Sequence, residues 1–481
     1  MITENTAQVE FFGGRSRVAP LAWGQQSSWD VMRDWLLQDK PFFVVTRWQS
    51  IPLLLGLPDV QAVLGELMNR HESLRTLYHA TERGDAQQEV LATGSVSITV
   101  FDRPADDPVE FSTIVADCLV RAEAENFDHA TEVPVRFYVA MHQGIPVLVV
   151  FGISHLSADY TSADVISADL AALLQARADG AVVPAVRPAL QPADLAAVEN
   201  SPEGQLLNVE ALGHLREQLR LIPATPLPAR HEPASPRYFR GELESESIPV
   251  AVRAAARRHR TTTSVVLLSI STALVRCFAP GPVVGVDLMQ GNRGSVESMH
   301  SVSSLNQAVR TAIGLTSESF EELLRQSESV TAAARRHSRY DARAAAEVFR
   351  VEAARRGVEP EPGCQFNDMW STLPRPSGRA DSSPAELERL SRASSFDWPQ
   401  KSDTEGMALF LDTRGTAERI KLSLLADTAL LSPGEIQGFL FAFEQTAVLL
   451  AEAVPSLDQI SALFEGYSAD ANAAAGRSTG R

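Results

Sequence analysis

The stretch from Val147 to Asp159 constrains this chain more than any other. Residues 147–153 are apolar except for Gly152, and this pattern predicts a buried strand. His155 follows at the strand end, and Asp159 precedes a helical pattern. A neutral imidazole held there can accept a proton from an attacking nucleophile, and Asp159 can brace the turn by pairing with a cation. The alternative is a half-buried histidine followed by a helix-capping aspartate.

Composition and charge limit the partners that we expect. The chain has 481 residues, enough for two or three domains, with 44% hydrophobic and 21% charged residues, as in ordinary globular proteins. It carries 43 basic and 60 acidic residues, which gives a net charge of −17. This excess of negative charge argues against binding to nucleic acid or to anionic membranes. We expect a monomer with neither kind of partner.

The cysteines and the termini predict a cytoplasmic protein. Cys118, Cys277 and Cys364 lie far apart and have neither zinc-ligand nor redox spacing, so we expect reduced thiols and no metal. The N-terminus has no basic start and no apolar core, so no signal peptide is evident. No apolar run approaches the roughly 20 residues that cross a bilayer.

The periodicities predict a mixed α/β (α+β) chain. Helices are predicted at 21–37, 58–70, 108–125, 161–178, 206–219, 250–258, 263–278, 318–336, 341–356 and 433–452. Strands are predicted at 42–46, 88–91, 97–101, 133–141, 146–153, 282–289, 407–412 and 420–425. Residues 1–18 are polar and are expected to be loosely held.

Prolines recur between residues 180 and 236, and this stretch is interpreted as a connection between two lobes. The predicted organisation is an N-terminal lobe at 1–180 that contains the His155 motif, a proline-rich connection at 181–236 and a C-terminal lobe at 237–467. A disordered tail, rich in alanine, serine and glycine, is predicted at 468–481.

Several stretches, taken in order, resemble the motifs of condensation domains of non-ribosomal peptide synthetases. Arg70-His71-Glu72-Ser73-Leu74-Arg75-Thr76 resembles the second motif and is the most specific match. Ser154-His155-Leu156-Ser157-Ala158-Asp159-Tyr160 resembles the motif His-His-x-x-x-Asp-Gly. Weaker matches to the first, fifth and sixth motifs and to the region after them are residues 25–29, 291–293 with 302–306, 337–341 and 366–368. The resemblance covers about residues 15–465, nearly the whole chain.

This resemblance implies two chloramphenicol-acetyltransferase-like lobes in a V-shaped pseudo-dimer, with an active-site tunnel between them. It implies an acyltransferase of non-ribosomal peptide or hybrid natural-product biosynthesis, including antibiotic biosynthesis. The sequence shows no adenylation pattern and no carrier-protein serine site, so we expect a free-standing domain or one excised from a larger synthetase, and the polar start and the predicted tail favour the free-standing form. An acyl group would pass from the thioester of a carrier protein to an amine or hydroxyl, on a small molecule or a second carrier. The phosphopantetheine arm belongs to the carrier, so the chain itself needs no cofactor.

The resemblance also assigns roles to single residues. His155 is the expected catalytic residue, and Asp159 is expected to pair with Arg293, 134 residues further along the chain. By motif position, four residues are candidates for the tunnel wall or for substrate binding: Gln25, Asn306, His337 and Trp398. For Trp398, core packing is the alternative.

The chain departs from the family pattern at Ser154 and Tyr160, which replace the first histidine and the glycine. The superfamily pattern His-x-x-x-Asp is kept, so the chemistry stays possible. The Tyr160 backbone N–H at the helix start can still donate to an oxyanion, whereas its ring adds bulk beside the tunnel. Ser154→His is expected to be tolerated, because the family accepts histidine there.

These departures keep a second hypothesis open, a catalytically degenerate domain that docks or recruits partner proteins. An epimerase is disfavoured, because Gln290-Gly291-Asn292-Arg293 lacks the carboxylate base of epimerase motifs. The basic runs at 257–260 and 335–337 fit solvated helix faces, or alternatively a docking patch for an acidic carrier protein.

Overall fold

The computed structural model divides the chain into two compact units. Unit 1 contains Met1–Val209, Gly291–Gln307 and Arg339–Ala342, and unit 2 contains Glu210–Gln290, Ala308–Ser338 and Arg343–Arg481. The structure describes residues 3–36, 42–81, 86–104, 110–124, 126–358, 363–373 and 383–478.

Helices and strands alternate along the described chain. The first half contains β1 (Thr3–Phe12), β2 (Arg17–Pro20), α1 (Trp23–Leu36), β3 (Val44–Ser50), α2 (Leu57–Arg70), β4 (Thr76–Ala80), β5 (Ala86–Val90), β6 (Thr93–Arg103), α3 (Phe111–Ala124), β7 (Val135–His142), β8 (Ile145–Ser154), α4 (Tyr160–Ala178), α5 (Pro192–Glu199) and α6 (Pro202–Leu221). The second half contains β9 (Tyr238–Ser245), α7 (Ser247–His259), α8 (Thr263–Val275), β10 (Val283–Gln290), α9 (Val296–Met299), β11 (Gln307–Gly314), α10 (Phe320–Arg336), α11 (Ala342–Arg356), β12 (Cys364–Asp368), α12 (Pro384–Arg392), β13 (Ser395–Ser402), β14 (Leu409–Gly415), β15 (Ile420–Asp427), α13 (Pro433–Glu452) and α14 (Leu457–Ser478). Glu72–Arg75 and Trp370–Thr372 form short 3₁₀ helices.

The largest sheet of unit 1 has five strands in the order β1-β6-β7-β8-β3, and β2, β5 and β4 form a smaller sheet. Strand β8 is apolar throughout its centre because both of its faces are covered. Val149, Phe151 and Ile153 face the core that contains residues of α2 and α4. Leu148 and Val150 face the core that contains residues of α3.

Alternation along β8 sends its last side chains to opposite faces. Gly152 lies on the face of α3, where an added Cβ would stand 2.7 Å from the Ala122 Cβ, so glycine permits the close packing of α3. Continuing the alternation places Ser154, the last residue of β8, on the face of α3, and His155 follows on the turn after the strand. The strand that the sequence predicts at 146–153 therefore ends where the candidate site begins.

Unit 2 is built on a seven-stranded sheet in the order β11-β10-β12-β14-β15-β9-β13. Its core combines buried residues of this sheet with apolar faces of α7, α8, α10, α13 and α14. Helix α8 is buried along almost its whole length, which explains its apolar sequence. In the described part of the chain, no helix is both long enough and apolar enough to cross a membrane.

The predicted mixed α+β fold class is confirmed, whereas two local predictions are wrong. Residues 3–12 and 17–20 are not loose but form β1 and β2, and β1 pairs in register with β6 along its full length. The last helix continues to Ser478, where the sequence predicts a disordered tail from 468. Alanine favours helix, and Ser468 lies buried against Gly438 of α13, so the helix has both propensity and packing.

The two units do not follow the chain halves. Gly291–Gln307, which the sequence assigns to a C-terminal lobe, belongs to unit 1, and the proline-rich stretch contains α5 and α6. The V-shaped arrangement of lobes and the tunnel between them stay predictions.

Candidate functional site

The turn between β8 and α4 carries the candidate catalytic histidine. The Ser157 and Ala158 N–H groups donate to the Ser154 carbonyl oxygen at 2.9 Å and 3.2 Å, which closes the turn. The His155 N–H donates to the Phe43 carbonyl at 2.9 Å, so the histidine backbone is tied to the chain just before β3. The backbone of His155 is therefore fixed by the sheet on one side and by the helix start on the other.

The His155 imidazole is half-buried among aromatic rings. The ring centroids of Phe42, Phe43 and Tyr160 lie 6.4 Å, 6.2 Å and 6.3 Å from that of His155. Burial lowers the pKa of His155 below its usual value, against smaller opposing effects of its own backbone carbonyl and of the Asp159 carboxylate. The ring is therefore neutral at pH 7. Nδ1 is buried and meets no hydrogen-bond partner among the described residues, so proton exchange with a ligand would use Nε2.

The Asp159 carboxylate forms a buried ion pair with Arg293. Nη2 of Arg293 donates to Asp159 Oδ1 at 2.6 Å, and the two side chains are 9% and 7% exposed. Nη1 of Arg293 donates to the carbonyl oxygens of Ser298 and Ser301, both at 2.8 Å. The pair that the resemblance implies is therefore present, and it joins the start of α4 to the segment after β10.

Asp159 is also the N-cap of α4, so the capping alternative is correct as well. Its Oδ1 accepts hydrogen bonds from the Ser162 N–H and hydroxyl, both at 2.8 Å, and its Oδ2 accepts from the Leu305 N–H at 3.3 Å. The Asp159 N–H donates to the Ser303 carbonyl at 3.4 Å. Both carboxylate oxygens are thus satisfied, which lets a charged group stay buried beside the histidine turn.

The most specific sequence motif, Arg70–Thr76, holds the same turn from another side. The Ser73 hydroxyl donates to the Ser157 carbonyl, and the Tyr78 hydroxyl lies 2.7 Å from the Ser157 Oγ. Glu72 is buried and accepts from Arg17 at 2.6 Å, so the motif is itself anchored to β2. The motif residues therefore support the turn and are not exposed to a substrate.

The prediction that Gln25 contacts substrate is wrong for the described conformation. Its side chain is fully buried, accepts a hydrogen bond from the Ala22 N–H at 3.0 Å and donates to the Tyr78 hydroxyl at 3.2 Å. Because Tyr78 contacts Ser157, Gln25 belongs to the support of the histidine turn.

Ser154 and Tyr160 have very different surroundings. Ser154 is fully buried, and its Oγ lies 2.7 Å from Nε2 of His129. Tyr160 is 39% exposed, its ring is edge-on to His155, and the Arg47 guanidinium lies 5.5 Å from the ring centroid. Tyr160 is thus positioned to contact a ligand of His155, whereas Ser154 is not.

Three weak motif matches converge in unit 1. The Ser28 and Ser304 hydroxyls lie 2.7 Å apart, and Ser304 donates to Asn306 Oδ1 at 3.4 Å. The next residue, Gln307, donates to the Ser27 hydroxyl at 3.3 Å and to the Tyr340 carbonyl at 2.8 Å. Asn306 is half-buried at this junction, and its role toward a substrate stays a prediction.

His337 and Trp398 belong to unit 2. His337 follows the end of α10 and stacks on His214 with ring centroids 4.3 Å apart. Trp398 packs edge-on against Phe239 and Phe396 at 5.5 Å and 4.9 Å, next to the core of unit 2. Trp398 thus packs beside the core, as the alternative expects, and the substrate-binding roles of Trp398 and His337 both stay predictions.

Sequence reasoning missed His129, which no motif marks. It lies on the turn between α3 and β7 and is 8% exposed. Only the pairing of β7 with β8, in which Val135 lies opposite Ile153, brings this turn to the end of β8. No pattern in the sequence alone connects residue 129 with residue 154.

Comparison with known proteins identifies the family. The model of the condensation domain matches residues 44–357, more than half of the chain, so the chain belongs to the condensation domain family. It is 25% identical over 334 residues to the isonitrile lipopeptide synthase of Mycobacterium tuberculosis, covering 65% of this chain and 13% of that protein. It is 25% identical over 268 residues to the non-canonical nonribosomal peptide synthetase CymA of Salinispora arenicola, covering 54% of this chain and 3% of that protein. The chain thus spans a small fraction of either relative.

Solved structures of the same fold include both a condensation domain and an X-domain. The starter condensation domain of rhizomide synthetase RzmA, a mutant in complex with C8-CoA, matches 92% of this chain and 96% of its own with a TM-score of 0.67 and 13% identity. The X-domain from teicoplanin biosynthesis matches 91% of this chain and 96% of its own with a TM-score of 0.63 and 17% identity. At these identities the likeness establishes the fold alone.

Proposed function

We propose that this chain catalyses acyl transfer from a carrier-bound thioester to an amine or hydroxyl in non-ribosomal peptide or related natural-product biosynthesis. The observation that carries the proposal is a neutral, half-buried His155 on a turn that the Asp159–Arg293 ion pair fastens. Membership of the condensation domain family supports the same chemistry.

The proposed step needs no group beyond the two substrates. The nitrogen or oxygen of the acceptor attacks the thioester carbonyl, a C–N or C–O bond forms, and the C–S bond breaks. The proton of the acceptor passes to His155 Nε2 and then to the leaving thiolate of the phosphopantetheine arm. A neutral ring is required for the first transfer, and burial keeps His155 in that form at pH 7.

Tyr160 is proposed to form part of the wall around the acceptor. Its ring stands edge-on to His155 and is 39% exposed, so a molecule that reaches the imidazole would pass beside it. Tyr160→Phe should keep the wall, whereas Tyr160→Gly should remove it and loosen the start of α4 by up to about 1 kcal/mol.

The test uses intact-mass analysis of carrier proteins loaded with candidate acyl groups and mixed with the chain and an acceptor. We expect the acyl group to leave the carrier and appear on the acceptor. His155→Ala should lower this turnover by about 100-fold or more, in the range for loss of a general base. His79→Ala is the matched control, because His79 lies in the same unit, is 40% exposed and pairs with Glu89. Equal turnover by the parent chain and His155→Ala would disprove the mechanism.

A second function, partner docking without chemistry, is supported by two observations. Ser154 replaces the first motif histidine. One structure with the same fold is the X-domain of teicoplanin biosynthesis in complex with OxyB, at 16% identity and a TM-score of 0.63. Binding of a native partner that persists in His155→Ala, together with no turnover of any loaded native carrier, would favour docking.

A further inference from the structure

Ser154, directly before His155, is held by a second histidine. Its Oγ lies 2.7 Å from His129 Nε2, and Ser154 and His129 are 0% and 8% exposed. The backbone of His129 is fixed in turn, because its carbonyl accepts the Tyr78 N–H at 2.7 Å. A buried imidazole in a fixed position therefore contacts the residue next to the candidate base.

The direction of the hydrogen bond between Ser154 and His129 depends on the tautomer of the His129 ring. Burial lowers the pKa of His129 to about 4, so the ring is neutral at pH 7. We assign the ring proton to Nδ1, the tautomer in which Nε2 accepts from the Ser154 hydroxyl. The Ser154 hydroxyl then donates to Nε2, and its oxygen accepts the Leu156 N–H at 3.3 Å. The chain of hydrogen bonds thus holds the residues on both sides of His155.

A serine hydroxyl hydrogen-bonded to a neutral imidazole also has the geometry of a nucleophile with its base. Full burial of Ser154 excludes that function in the described conformation, because a substrate carbonyl cannot reach its Oγ. The pair is therefore able to act on a substrate only through His155.

We infer that His129 is a positioning residue, which acts through Ser154 to orient the His155 ring in the acyl transfer proposed above. Without the acceptor at His129, the Ser154 hydroxyl is a buried donor with no partner, and the turn must shift to satisfy it, which moves the His155 side chain. A displacement of about 1 Å at a reacting group costs on the order of 100-fold in rate. This inference rests on the proposed function for its kinetic consequence but not for its structural one.

The same geometry corrects the expectation that Ser154→His is tolerated. An imidazole at residue 154 would occupy the space of the His129 ring, which already lies 2.7 Å from the serine oxygen. We expect Ser154→His alone to destabilise the turn and the double variant Ser154→His with His129→Gly to recover much of the loss.

The experiment compares His129→Leu, which removes the acceptor, with His129→Gln, which keeps one on a side chain of similar length. With loaded carrier and acceptor, His129→Leu should lower kcat by roughly 10- to 100-fold and leave KM within about twofold. His129→Gln should recover most of that loss. Ser154→Ala, a smaller change, should reproduce the loss if His129→Leu does not fold. A rise in KM with unchanged kcat would overturn the inference.

A second measurement separates this inference from the proposed function. Ring ¹⁵N shifts of His155, from NMR of selectively labelled protein, report its position and tautomer without any turnover. We expect His129→Leu and Ser154→Ala to change or broaden these signals, and His79→Ala to leave them unchanged. Altered signals with no turnover by the parent chain would support positioning and reject the acyl transfer. Unchanged His155 signals in both variants would overturn the positioning role.

Discussion

Removal of the Arg293 side chain tests whether the histidine turn depends on the buried ion pair. Arg293→Ala deletes the bond to Asp159 at 2.6 Å and three further hydrogen bonds, to the Ser162 hydroxyl and the Ser298 and Ser301 carbonyls, each at 2.8 Å. The arginine side chain is 9% exposed, so water replaces these bonds poorly.

The size of the effect follows from what Asp159 keeps. Breaking a buried ion pair by removing one partner typically costs about 3–5 kcal/mol, because the other charge stays buried. Asp159 still accepts from the Ser162 N–H and hydroxyl and from the Leu305 N–H, so its charge remains partly compensated. We therefore expect a loss of stability of about 3 kcal/mol, the low end of the range, mainly at the start of α4 and at residues 303–305.

Hydrogen exchange followed by mass spectrometry measures the loss of local stability. A loss of about 3 kcal/mol in local opening corresponds to roughly 100-fold faster exchange of the amides at 159–163 and 303–305. Urea unfolding measures the change in the free energy of unfolding of the whole chain. Arg335→Ala is the matched control, because Arg335 lies exposed at the end of α10, where a single surface change alters stability by about 0.5 kcal/mol or less.

A double-mutant cycle with Asp159→Asn isolates the pair itself. The amide keeps the N-cap acceptor for Ser162 but removes the charge, so the coupling between residues 159 and 293 should reach about 2 kcal/mol. The reasoning is refuted if Arg293→Ala unfolds within about 0.5 kcal/mol of the parent chain and exchange at 159–163 and 303–305 is unchanged.

Three more predictions concern pH, thiols and proteolysis. Because burial lowers the pKa of His155, its neutral form predominates above pH 6.5, and turnover should fall as the pH drops through a midpoint below 6.5. A midpoint above pH 7 in the pH–rate profile would contradict this. Burial raises the pKa of Cys118 and Cys364 to about 12, so Ellman's reagent should label half-buried Cys277 first and the other two only on unfolding. Equal labelling rates of the three thiols in the native protein would contradict this. Thermolysin should cut first at residues 181–187, an exposed stretch without helix or strand, and a first cut within β8 would contradict the fold.

The sequence predicted elements best where one physical signal dominates. The apolar run at 146–153 predicted β8 almost to the residue, because a strand buried on both faces has no polar positions. Strand β9, Tyr238–Ser245, was missed, since its half-buried face carries an arginine and two glutamates between the buried residues of the other face. Strand β1 was missed for the same reason, as only its pairing with β6 makes its polar side chains compatible with a strand.

For the site, the sequence predicted residues that belong to motifs and missed those that only the fold brings near. His155, Asp159 and Arg293 were predicted from ordered motifs, and the ion pair is present. The role of Gln25 was wrong, because motif position says nothing about burial. His129 was missed, because strand register alone brings its turn to Ser154.

The His155 turn is held by contacts from parts of the chain that lie far apart in the sequence. Ser73 and Tyr78 hold Ser157, His129 holds Ser154, and Arg293 holds Asp159.

Three separate segments thus converge on six residues, 154–159. They bond to Ser154, Ser157 and Asp159, whereas the His155 imidazole makes no hydrogen bond to a described residue. Anchoring a turn from several sides offsets the entropy of a short irregular segment and fixes the direction of one side chain. A docking surface needs a stable turn, but it has no need of a single neutral imidazole kept unbonded at the centre of these contacts. This arrangement favours the acyltransferase over the docking domain, and it makes the His155 signals and the turnover of His129→Leu the pair of measurements that separates the two.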